Sequence, residues 1–352
     1  MLLWEGRESL LSHPDKYSIL EKVIANILNV FDYGYEAVLF FFVLSGFVIH
    51  LKYSIIYKEP NNQIKFDFVD FLFRRFKRIY PVLLFSLALT FILDTIGKNS
   101  DYLIYSNLTP YPIINNNITF DISFKTLLIN LGLLGKFYGN LFGSNSPLWS
   151  LQYEWWFYML YPVFSIINRR SIILSTMLVM ALFIIAHSTS FIKIILFDNL
   201  FEYYICWWMG VCLADIYSGR FKISLYLISA LGMVGLLCRI FSIGNFTNQW
   251  VSLAFMGLIS LFLTFKNDSE IIKFISKFKF LGDFSYSLYI THFPILVFIS
   301  GTLIAYNCGL LPKNQVFIFI GCVPCLIIAL LCYFLIEKPS INFKLKKSIK
   351  NI

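Results

Sequence analysis

Nine stretches of this chain are apolar enough and long enough to leave it little choice of fold. They run at about 35–52, 79–97, 149–167, 171–188, 200–217, 222–241, 248–265, 284–306 and 315–336, each close to the ~20 residues a helix needs to cross a bilayer core. In lipid every backbone N–H and C=O must be paired within the protein, so segments of this length are helices. The expected fold class is all-α: a polytopic membrane helix bundle of about nine spanning helices. A further stretch, 123–143, is interrupted by Lys125, Lys136 and several Gly and Asn residues; it reads as a re-entrant or interfacial segment. The chain is 58% hydrophobic and 14% charged, whereas a soluble domain is nearer half apolar and a quarter charged. Its 352 residues therefore read as one membrane body rather than several soluble domains.

The net charge of +9 would suit a nucleic-acid partner, but its placement argues for orientation instead. With loop 53–78 inside and nine spans alternating, 20 of the 29 Lys and Arg fall on the inner side, as cytoplasmic loops require. Counting 123–143 as a full crossing would put Arg169, Arg170 and all that follows on the wrong face. This arrangement leaves residues 1–34 outside as an N-terminal segment, the remnant of a first span. Residues 35–337 form the membrane domain, and 338–352 a basic cytoplasmic tail. The seven Cys fall almost entirely in apolar stretches and read as packing residues; "CVPC" (322–325) has no second ligand pair, and no metal site is expected.

Four places carry residues that lipid does not explain. In "PLWSLQYEWWFYMLYPVF" (147–164), Glu154 stands about five residues, roughly 8 Å, inside the outer end of its span. Ionisable residues at such depth are costly and usually functional. Ser150, Glu154 and Tyr158 recur at i, i+4 and i+8, one polar stripe that would equally serve as a packing hydrogen-bond cluster. "GDFSYSLYITHFPI" (282–295) brings Ser285, Tyr289 and His292 to one helical side, with His292 about 12 Å into a roughly 30 Å core. Imidazole titrates near working pH and suits proton transfer, although a buried neutral His is also an ordinary packing residue. In "RRFKRIYP" (74–81), Arg75 and Arg78 share a helix face where the span leaves the cytoplasm. They are an inner-face anchor or, with Lys77, a phosphate clamp. Ser45 and Gly46, in the middle of "GYEAVLFFFVLSGFVIH" (34–50), permit close helix approach. His50 and His187, near span ends, and His13 carry little signal.

Taken in order, "FFFVLSGFVI" (40–49), "RRFKRIYP" (74–81), "PLWSLQYEWWFYMLYP" (147–162), "FSYSLYITHFPI" (284–295) and "IEKP" (336–339) resemble the integral-membrane acyltransferase family 3 over roughly 34–339. The resemblance implies a ten-helix O-acyltransferase in a bacterial inner (plasma) membrane, its C-terminus cytoplasmic. Such an enzyme moves an acyl group, commonly acetyl, from cytoplasmic acyl-CoA to a hydroxyl of a cell-surface carbohydrate or lipid-linked sugar. The family's Arg-x-x-Arg maps onto Arg75 and Arg78, which with Lys77 would hold the acyl-CoA donor. Its Glu maps onto Glu154 and its late His onto His292, both catalytic, while Ser150, Tyr158 and Tyr289 would line the acceptor side. Family members open with a span carrying an Arg and then a His; here "LLWEGRESLL" (2–11) stands at its end, with Glu5 in the place of the His. Three readings follow: Glu5 as a substitute base behind a mis-assigned start, an inactive paralogue, or another base. A non-catalytic carrier or export partner for surface polysaccharide is the alternative outside catalysis, with the same polar groups lining a translocation path.

Overall fold

The computed structural model describes residue 3, residue 15 and residues 18–28, 33–59, 66–188, 199–265, 269–314 and 316–343. Among these there is no strand, and every apolar stretch of the sequence coincides with a helix. The long helices are α1 (Gly34–Lys58), α2 (Phe68–Asn99), α3 (Leu148–Arg170), α4 (Ile172–Ser188), α5 (Leu200–Tyr217), α6 (Leu225–Ile240), α7 (Thr247–Leu263), α8 (Ser285–Tyr306) and α9 (Val316–Cys332). Gly34–Lys58, Phe68–Asn99, Ser285–Tyr306 and Val316–Asn342 are long and apolar enough to cross a membrane, and α4, α6 and α7 are shorter apolar helices.

Two boundaries differ from the hydropathy reading for one reason: hydropathy finds where lipid begins, not where a helix begins. The first turns of α2, Phe68–Arg78, are charged yet fully helical, so Arg75 and Arg78 lie well inside a helix. Likewise α1 runs on to Lys58, so His50 is an interior residue. Segment 123–143 holds two short helices, Phe124–Leu131 and Gly135–Tyr138, separated where Leu133 takes φ 54. Neither reaches spanning length, as expected of a re-entrant or interfacial piece. Just ahead of it, the Asp121 carboxylate accepts from Thr126 Oγ1 at 2.6 Å and from Ser123 N at 3.0 Å. Those two bonds draw its pKa down to about 2. The N-terminal segment contains the helix Ile19–Leu28, while Glu5 and His13 lie outside the described residues.

The chain divides into two compact units, each assembled from separated stretches of sequence. The first takes 29–68 and 150–278. At its centre α5 packs on α1, α4 and α7, with α6 against α7. Glycines set the α1–α5 distance: a Cβ on Gly46 would lie 2.1 Å from the Trp207 carbonyl oxygen, and one on Gly210 would lie 1.9 Å from that of Val43. Packing of small residues replaces the hydrophobic effect as the source of helix association in lipid. Around this contact Phe157, Tyr161, Tyr204, Trp207 and Trp208 are buried, with Tyr204 and Trp207 stacked at 5.7 Å.

The second unit takes 1–28, 69–149 and 279–352, with α2, α8, α9 and the connection between α2 and α3. Here α8 packs against α9. After Cys332 the last helix changes to a π-helical turn, Tyr333–Glu337, before Lys338–Asn342 resumes α-helix. Such turns hold one residue more than an α-helix has room for, and often occur where a side chain is being redirected. The side chain delivered here is Glu337, 2% exposed, which accepts a 2.5 Å hydrogen bond from Ser287 at the start of α8.

Candidate active site

Within the first unit Glu154 is half-buried on α3. Its Oε1 accepts a 3.0 Å hydrogen bond from Ser45 on α1 and another from Tyr158, one turn along its own helix. Ser45 is in turn held by Trp207 Nε1 at 3.3 Å. Two of the three stripe residues, Glu154 and Tyr158, are thus joined; Ser150 is buried one turn earlier. Ser45, expected only as a small spacer, is the hydroxyl on which this cluster centres. That follows from Gly46 beside it, which brings α1 close enough for a short side chain to bridge to α3 and α5.

A second polar cluster in the same unit went unread in the sequence. Asp215 on α5 is fully buried. It accepts from Ser54 at 2.6 Å, Asn168 at 2.9 Å, Arg220 at 3.0 Å and His50 Nε2 at 3.1 Å. His50 Nδ1 meets the Tyr161 hydroxyl at 2.8 Å. With the carboxylate accepting from Nε2, a neutral His50 accepts from Tyr161, and every polar atom of the ring is used. Such a saturated network fastens α1, α3 and α5 together and leaves no group free for chemistry.

In the second unit the α2 cations behave differently from one another. Arg75 is half-buried with its guanidinium 5.4 Å from the Phe71 ring centre, whereas Arg78 is exposed and has the buried Glu337 carboxylate as a charged neighbour. Lys77 donates to the carbonyl oxygen of Phe343 at 2.6 Å, so its ammonium caps the end of the Lys338–Asn342 helix. The exposed, forked Arg78 fits a phosphate best; Lys77 has part of its donor capacity committed to that carbonyl.

His292 on α8 has its ring tautomer set by the backbone of its own helix. Its Nδ1 lies 2.8 Å from the Tyr289 carbonyl oxygen and 3.1 Å from that of Leu288. A carbonyl can only accept, so Nδ1 carries the hydrogen, and the neutral ring presents its lone pair at Nε2. Tyr289 turns its hydroxyl to the Pro147 carbonyl at 3.3 Å. Arg75, Arg78, Lys77, Tyr289 and His292 thus belong to one unit, and Glu154, Ser150 and Tyr158 to the other.

Residues 19–334 match the acyltransferase domain that defines acyltransferase family 3. The chain belongs to this family. Acyltransferase family 3 accounts for the apolar helices as spans of an integral membrane protein, which this chain is. It is similar to the O-acetyltransferase OatA proteins of Staphylococcus aureus strains NCTC 8325 / PS 47, COL and MRSA252. Each is 25% identical over 344 residues, covering 87% of this chain and 52% of the relative. The family 3 chain thus spans about half the length of these curated relatives. No solved structure matches it.

Proposed function

We propose that this chain is a membrane O-acyltransferase. It moves an acyl group, acetyl by the likeness to the O-acetyltransferases, from cytoplasmic acyl-CoA to a hydroxyl of a cell-surface carbohydrate. One observation carries the reading: in a member of this family, His292 stands inside a spanning helix with Nδ1 tied to backbone and Nε2 left as a base. In the reaction Nε2 takes the proton of the acceptor hydroxyl as its oxygen attacks the thioester carbonyl. The tetrahedral intermediate then collapses, the C–S bond breaks, and the departing CoA thiolate recovers the proton from the imidazolium. Arg78, with Arg75 beside it, holds the phosphates of the donor at the inner face, with Lys77 as a further contact. Glu154, steadied by Ser45 and Tyr158, orients acceptor hydroxyls, with Ser150 one turn earlier on the same helix; Tyr289 is a separate acceptor contact beside His292. Glu5 is the competing base. The protein sits in the bacterial inner membrane with its C-terminus in the cytoplasm, where the basic end 338–350 meets anionic lipid.

The test uses the full chain in proteoliposomes with radiolabelled acetyl-CoA and a glycan acceptor. His292→Ala is expected to lower ester formation by about 10²–10⁴-fold, the usual yield of acid–base catalysis. Arg78→Ala is expected to raise the KM for acetyl-CoA, with kcat changed less. Wild-type turnover in His292→Ala would overturn His292 as the base. Glycan movement with no dependence on acetyl-CoA would replace catalysis by transport.

A further inference from the structure

The helix that carries His292 contains Pro294. Proline has no N–H, so the carbonyl four residues earlier, that of Ile290, loses its partner within the helix. In a span a freed carbonyl has to be satisfied by a neighbouring group or an ordered water. The missing donor comes from outside the helix: Asn145 Nδ2 lies 3.1 Å from the Ile290 carbonyl oxygen. Its second N–H reaches Thr90 Oγ1 at 3.2 Å. The Thr90 hydroxyl hydrogen is already given to the Ser86 carbonyl at 2.7 Å, so Thr90 accepts, and the amide is fixed with nitrogen toward Ile290. Asn145 is fully buried, and its Oδ1 has no partner among the described residues. The side chain is held by what it donates.

The loop behind Asn145 is itself clamped. Asp94, fully buried on α2, accepts from Ser144 N and Ser144 Oγ, both at 2.7 Å. Gly143 precedes them with φ +55, and a Cβ there would stand 2.3 Å from Asp94 Oδ2. Only glycine fits both the backbone and the space. Two residues past Asn145, the Pro147 carbonyl receives the Tyr289 hydroxyl. The stretch Gly143–Pro147 therefore grips α8 at Tyr289 and Ile290, in the turn whose carbonyls hold His292 Nδ1.

We infer that Asn145 is a positioning residue for His292: it supplies the N–H that Pro294 lacks, with Asp94 holding it in place, and so keeps the imidazole at a fixed orientation. The catalytic meaning of this rests on the function proposed for His292; the geometric part does not. The experiment separates the two by reading His292 itself. Full-length protein in detergent is treated with diethyl pyrocarbonate, and the rate of carbethoxylation of the His292 peptide is followed by mass spectrometry across pH, beside acetyl transfer. Asn145→Ala is expected to change the His292 rate by about threefold or more and to lower acetyl transfer. Pro294→Ala, which returns a peptide N–H to Ile290, should fold and should make Asn145→Ala far less damaging in both readouts. An Asn145→Ala effect equally large with and without Pro294, or no change in His292 reactivity, overturns the inference. Should acetyl transfer be absent even in wild type, the proposed function fails while the reactivity cycle still decides this one. If Asn145→Ala alone does not fold, the comparison of Pro294→Ala with the double variant decides it: an unfolded or unreactive double variant counts against the inference.

Discussion

Asp215 receives four donors from four residues, and removing it would take the carboxylate from His50 Nε2 and the counter-charge from Arg220, which is left with the oxygens of Asn168 and Arg169. Losing one partner of a buried charge pair costs about 3–5 kcal/mol. Asp215→Ala is therefore expected to lower the melting temperature of the detergent-solubilised protein strongly, with Arg220→Ala close behind. A melting temperature within a degree of wild type would show that the cluster contributes nothing to stability. The contrast with Glu154 explains what the sequence could tell. Both are single carboxylates in apolar runs, and the same cost argument applies to each, as it does to Asp94. Glu154 stood out because its neighbours at i−4 and i+4 are also polar. Three of the four partners of Asp215, His50, Ser54 and Asn168, are far away in sequence, and only Arg220, five residues on, is local. The apolar run around His50 ends near 52, which marks it as an end residue; the helix continues to Lys58 and makes it a core one. The hydrogen on His292 Nδ1 was likewise unreadable from spacing alone, since it depends on which carbonyls the ring meets.

Among elements, the existence and order of all nine long helices followed from hydropathy, because lipid punishes unpaired backbone more severely than it rewards any side chain. What hydropathy missed was where chain meets chain. The α1–α5 contact rests on Gly46 and Gly210, which look in sequence like any other membrane glycines. Replacing Gly210 with Val would drive a side chain into the Val43 carbonyl and the Phe47 amide nitrogen of α1, backbone atoms that cannot move aside. Gly210→Val is expected to reduce folded, monodisperse protein on size-exclusion chromatography to a small fraction of wild type. Gly34→Ala, where a Cβ meets nothing within 4 Å, should be neutral by the same assay. Equal yields for the two would remove close backbone approach as the reason for this packing. The connection ahead of α3 was legible only as a break in apolar character; its role as a clamp on α8 needed the fold.

At the scale of the whole molecule, each unit gathers pieces from both halves of the sequence, so no single cut in the chain separates them. The charge distribution makes one global statement that can be checked directly. With inner loops holding most Lys and Arg, a green fluorescent protein fused after Ile352 should fluoresce, as it does only when kept in the cytoplasm. Cys308, exposed in the turn after α8, should react with a membrane-impermeant maleimide added to intact spheroplasts. A dark fusion with an unreactive Cys308 would invert the orientation and, with it, the side from which acyl-CoA reaches Arg78. The π-helical turn at Tyr333–Glu337 has a consequence for anyone shortening this chain. Deleting one residue there removes the one the turn holds in excess, so the final span winds as plain α-helix and Lys338–Asn342 keeps its facing. The Glu337–Ser287 bond and the Phe343 carbonyl on Lys77 are expected to survive that deletion. A surplus residue is the one a helix can lose.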